Sequence, residues 1–199
     1  MRARGALGVC AALLLAGCGG AAAAGTPATP PEKVDVESVA LDEVAALDEL
    51  GYPVDLATWQ FPDELTNAGG GTAWTTSTGD SRSVVQIGTD ADAYLQFGPD
   101  VEASVRSTVR HEFGHVLTNY LYPHGSEQPL SLSCKDSNAA TVATGGPAGE
   151  CAAEAVSAAL AAERGDEQVR FYDLVLSDAS LAFAPPVLRG APTWPIPGQ

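Results

Sequence analysis

Two of the three histidines in this chain stand four residues apart, with a glutamate directly after the first, in His111-Glu112-Phe113-Gly114-His115. On an α-helix a four-residue step turns about 40° around the axis, so both imidazoles leave the same face and can reach one ion. Glu112 lies beside the first histidine, placed to take a proton from a metal-activated water, which is the general-base role in metal-assisted hydrolysis. The helical face of the histidines otherwise carries only Ser104, Ser107, Thr108, Gly114 and Thr118, small side chains that leave room for a metal and a substrate. Gly114 costs a helix interior about 1 kcal/mol against alanine. A close approach of another backbone or of substrate accounts for it.

A catalytic zinc keeps three protein ligands and one open position, so a third ligand has to come from elsewhere. Metzincins place a glycine and a histidine three and six residues after the second histidine; Thr118 and Leu121 occupy those positions and exclude that class. His124 is a possible ligand, but Pro123 ends the helix before it. Glu150 and Glu154 are better placed, four apart on an expected helix and so on one face.

Together the two segments resemble the gluzincin metallopeptidases. Glu150-Cys151-Ala152-Ala153-Glu154-Ala155-Val156-Ser157 is similar to the second motif, E-x-x-A-[D/E]-x-x-[A/S], of the prenyl-protein-processing zinc endopeptidases and of the lethal-factor-type toxin peptidases. The latter also carry an HEFGH helix. The resemblance implies a zincin-like fold, Zn2+ as cofactor, His111, His115 and Glu150 as ligands, Glu112 as base, and Glu154 as a carboxylate holding a ligand histidine in its metal-binding tautomer. A second register, on the N-E-A-x-S-D run of thermolysin-like enzymes, makes Glu154 the ligand; its asparagine and aspartate are Ala153 and Ala158 here. The Glu150 register is preferred, because only it supplies the supporting acid. Tyr120, Tyr122, His124 and Tyr172 are candidates for stabilising the oxyanion.

The elements that must position these groups read as α+β. Apolar residues at helical spacing predict a first helix over 34–50, ended by Gly51 and Pro53. Short β-rich runs at 73–77, 83–87 and 93–97, the first two joined by a Gly79-Asp80 turn, predict a small antiparallel sheet. Asp100 caps a long helix whose Val105, Val109, Phe113, Val116 and Tyr120 form the core-facing stripe. Further helices are expected over 148–163, ended by Gly165, and over 166–177; the proline-rich end, 185–199, is expected to be irregular and to pack as a strap through Trp194.

Residues 6–16 are an apolar run behind Arg2 and Arg4, too short to span a bilayer. The run ends in Leu15-Ala16-Gly17-Cys18, which looks like a bacterial lipobox. That resemblance implies a signal peptide over 1–17, lipid attachment at Cys18, a flexible tether over 18–33 and a single metallopeptidase domain over 34–199. The alternatives are an ordinary secretory signal cut near the alanines at 21–24, or a chance match in an alanine-rich sequence. With Cys10 removed and Cys18 acylated, Cys134 and Cys151 remain as an even pair; in an oxidising compartment a disulfide is the simplest state, with free thiols or a metal pair as alternatives.

Ten Lys and Arg against 25 Asp and Glu give a formal charge of −15, which repels phosphate backbones and excludes nucleic acid as partner. The expectation is a zinc-dependent endopeptidase, lipid-anchored outside the cytoplasm in a bacterial envelope, acting on peptides or proteins. The alternative is a non-catalytic lipoprotein that keeps the fold as a binding or scaffold module.

Overall fold

The computed structural model describes residues 33–65, 71–121, 134–135, 146–171, 175–176 and 178–195. The expected signal peptide and tether, Cys18, Tyr122, His124 and Tyr172 lie outside these residues, Lys33 excepted.

Helix α1, Val36–Glu49, starts where the Asp35 carboxylate accepts from the Ser38 amide at 3.1 Å and ends where Gly51 takes a φ of 84°. Its buried face is Val36, Val39, Ala40, Glu43 and Leu47. Strand β1, Ala57–Gln60, follows a 3-10 turn, and β2, Ala73–Ser77, and β3, Ser83–Ile87, form a hairpin. In the sheet β3 is central, antiparallel to β2 (Ser77 opposite Ser83) and parallel to β1 (Ala57 opposite Ser83). The sheet is therefore mixed, not antiparallel: β1, which the sequence pattern does not predict, adds a parallel edge, and the expected third strand at 93–97 does not form.

That stretch instead holds the one-turn helix α2, Ala91–Tyr94, and a 3-10 turn, Leu95–Phe97. Asp90 caps α2 by accepting from the Asp92 amide, and Tyr94 is buried, donating to the Gly88 carbonyl at 2.9 Å, while Leu95 is exposed. Capping and a three-residue spacing of buried groups outweighed the apparent alternation.

The long helix α3, Val101–Leu121, begins as expected with the Asp100 carboxylate accepting from the Ala103 amide at 2.9 Å. Val105, Val109, Phe113 and Val116 are buried, with Phe113 edge-on to Tyr52. The opposite face is buried too. Ser104, Ser107, Thr108, Gly114 and Thr118 are all inaccessible, and Gly114 lies against helix α4, Gly146–Arg164. A Cβ at Gly114 would stand 2.6 Å from Ala153 Cα and 2.8 Å from its carbonyl oxygen. The small residues thus bring two helices together rather than opening space.

Gly165, at φ 72°, ends α4, but no helix follows over residues 166–171. The backbone and side chains of this strap bond to α3 and α4 instead of closing a local helical ladder: Val169 N–H donates to Ser107 Oγ at 3.1 Å, and Asp166 pairs with Arg110 at 2.6 Å. Two-residue strands β4, Cys134–Lys135, and β5, Val175–Leu176, pair antiparallel. Helix α5, Asp178–Gly190, passes through Pro185 and Pro186, where an irregular tail was expected. Both prolines face solvent, where the carbonyls they orphan can be hydrated, and Ala184, Val187, Leu188 and Ala191 bury an apolar stripe that offsets their cost. Trp194 stacks on Tyr120 at 4.7 Å.

A buried ion cluster joins the helices. Glu43 of α1, with no exposed surface, accepts from Arg110 (2.7 Å) and Arg106 (3.3 Å) of α3 and from Arg164 (2.7 Å) of α4.

Replacing Gly114 by alanine should destabilise the protein by about 1–3 kcal/mol, the usual cost of overpacking, because backbone atoms of Ala153 cannot move aside and the helix-propensity gain is smaller. Denaturant unfolding measures this; an unchanged or raised midpoint would contradict so close a contact.

Candidate metal centre

The packing at Gly114 and Ala153 brings the two i, i+4 pairs face to face. His111 Nε2 is 3.1 Å from Glu150 Oε2, and His115 Nε2 is 3.6 Å from Glu150 Oε1. The two rings are edge-to-face with centroids 5.0 Å apart. One donor atom from each of His111, His115 and Glu150 lies within 4.8 Å of the others. Donors around a tetrahedral zinc with bonds of about 2.0–2.1 Å stand about 3.3 Å apart, so this set could hold a metal ion, and its nitrogen and carboxylate donors suit zinc.

Glu154 meets the other edge of the His111 ring, with Oε2 3.1 Å from Nδ1. Exposure separates the two glutamates: Glu150 and His115 keep 13% and 19% of their side-chain surface, Glu154 and His111 only 1% and 4%. Solvent reaches the site past His115 and Glu150, while Glu154 stands behind the histidine. The second oxygen of Glu154 accepts from the Gln168 amide at 2.7 Å.

Glu112, largely buried, turns its Oε2 to Thr75 Oγ1, which donates at 2.5 Å from the edge strand β2. Its charge and, above all, burial push the Tyr94 phenol up, so Tyr94 stays neutral and keeps its bond to Gly88. Phe171 packs edge-on to His111 at 5.3 Å and to Phe97 at 4.8 Å, walling the ring off.

Of the residues singled out from sequence, His111, Glu112, His115, Glu150 and Glu154 come together. Tyr120 is committed to Trp194 at the far end of α3. Cys151 is disulfide-bonded, one residue after Glu150; the side chain of Cys134, its expected partner, lies outside the described residues. Thr75, Gln168 and Phe171 were missed, since a strand threonine, a glutamine and a phenylalanine distant in sequence carry no spacing signal. No protein-family model, curated protein or solved structure matches this chain.

Burial acts most strongly on His111 and favours its neutral form, but hydrogen bonds to Glu150 and Glu154 and the charges of Glu154 and Glu112 outweigh it and raise the ring to about 10. Burial likewise opposes ionisation of Glu150, yet the two histidines hold its carboxyl well below the usual range. In the metal-free protein near neutral pH, His111 is therefore a cation between carboxylates. A metal must displace its Nε2 proton, so binding strengthens as pH rises toward about 10. Between about pH 6 and 8 the zinc dissociation constant should fall at least tenfold per pH unit, as read by chelator competition. A pH-independent constant would contradict this arrangement.

Proposed function

We propose that this chain is a zinc-dependent endopeptidase of gluzincin type. The observation that carries the reading is the convergence of His111, His115 and Glu150 on one point, with the Glu112 carboxylate on the next residue of the same helix and steadied by Thr75. A zinc ion held by these three side chains supplies a Lewis acid that polarises a carbonyl oxygen and brings the pKa of water toward about 7.

The residues of the chain supply the remainder. Glu112, with Oε2 held by the Thr75 hydroxyl, takes the proton of the attacking water at its other oxygen and returns it to the departing amine. Glu154 keeps the proton of His111 on Nδ1, which leaves Nε2 as the donor toward the metal. Phe171 and the α3–α4 contact exclude water from the back of the site. A module that only binds has no use for a base beside the ligands, which favours the enzyme over the scaffold reading. Attachment through Cys18 at the outer face of a bacterial membrane, and peptides or proteins as substrates, complete the proposal on the sequence alone.

Glu112→Gln should keep its zinc and lose turnover of denatured casein by about 10²- to 10⁴-fold, since proton transfer is removed and no ligand is. Chelator should abolish the wild-type cleavage. Retained activity in Glu112→Gln, or chelator-insensitive cleavage, would refute the assignment.

A further inference from the structure

The strap that follows α4 lies across α3 and α4 at the back of the site and touches both. Asp166 is clamped by Arg110 at 2.6 Å and by Arg164 at 3.4 Å. Val169 N–H donates to Ser107 Oγ at 3.1 Å, and Phe171 closes on the His111 ring. Between these fixed points Gln168 reaches Glu154, its Nε2 2.7 Å from Oε1 and 3.4 Å from the backbone carbonyl of the same residue. Both oxygens of a carboxylate only accept, so the amide must present its N–H end.

Glu154 is buried, with only 1% of its side-chain surface exposed, so its hydrogen bonding must be completed by protein groups. Among the described residues, Oε2 faces His111 Nδ1 and Oε1 faces Gln168. Without the amide, Oε1 is a desolvated anion lacking a donor; the carboxylate relieves that by turning or by taking a proton, and either weakens its hold on the ring. The neutrality of the donor matters as well. An arginine or lysine at this point would draw the carboxylate's charge away from the imidazole, whereas an amide fixes its direction and leaves its full charge for Nδ1–H.

We infer that Gln168 is a positioning residue of the metal centre, locking the Glu154 carboxylate so that His111 presents Nε2 to the ion. This rests on the metal reading above and adds to it a residue that touches no ligand.

Zinc dissociation constants, measured by competition with a chromophoric chelator, test it in the wild type, Gln168→Met, Glu154→Gln and the double variant. Methionine keeps the length of the side chain and removes the donor. Gln168→Met should weaken zinc about tenfold, at the low end of losses for groups behind a ligand, while the unfolding midpoint of the metal-free protein shows that the fold persists. In the Glu154→Gln background the same substitution should change the constant less than about twofold, since its target is already gone. Gln168→Glu, which places an acceptor against an acceptor, should weaken zinc at least as much as Gln168→Met. Equal weakening in both backgrounds, or full affinity in Gln168→Met, would overturn the inference while leaving the metal centre standing. A wild type that binds no zinc would overturn both.

Discussion

The closeness of α3 to α4 at Gly114 and Ala153 is the constraint on which the site depends. With a 2.6 Å gap where a Cβ would be, no side chain separates the two backbones, and the pairs His111/His115 and Glu150/Glu154 meet at ligand distance. A wider spacing would leave two amphipathic helices with four solvated polar groups. The serines and threonine along the same stripe serve the same end: Ser157 Oγ donates to the Ser107 carbonyl across the helix pair, and Thr108 donates back to the Ser104 carbonyl within its own helix. Small polar residues let the helices approach while satisfying their own hydroxyls.

So short an interface between helices carrying acids and histidines needs a fixed register, and the cluster around Glu43 supplies it. Arginines from both helices converge on one buried carboxylate of α1, and Arg110, the residue before His111, also reaches Asp166 on the strap. Removing one member of a buried charge cluster costs about 3–5 kcal/mol, because the others are left uncompensated. The same network thus ties together α3, α4 and the strap, the segments that supply the described groups around His111.

The sequence made α3, α4 and the chemistry on them legible because their apolar spacing, the Asp100 cap and the two four-residue polar pairs are local signals. Both registers for the third ligand were consistent with that pattern, since Glu150 and Glu154 share a face; only the tertiary fold puts one at Nε2 and the other at Nδ1 of the same ring. Elements whose partners are remote were misread. Strand β1 is four residues defined by its parallel neighbour, the strap at 166–171 is held by α3 and α4 rather than by its own backbone, and α5 survives two prolines because its buried stripe outweighs them. Gly114 was noticed for the right reason, a close approach, but the small residues around it were assigned to open space when they fill a helix contact.

The central claim is that Glu150 ligates the ion and Glu154 stands behind His111. Zinc content and affinity of Glu150→Gln and Glu154→Gln, determined by elemental analysis and chelator competition on dialysed protein, test it most directly. The account predicts loss of stoichiometric zinc in Glu150→Gln and retained zinc with affinity reduced by about 10- to 100-fold in Glu154→Gln. The reverse ranking, or full and equal zinc in both, would contradict it.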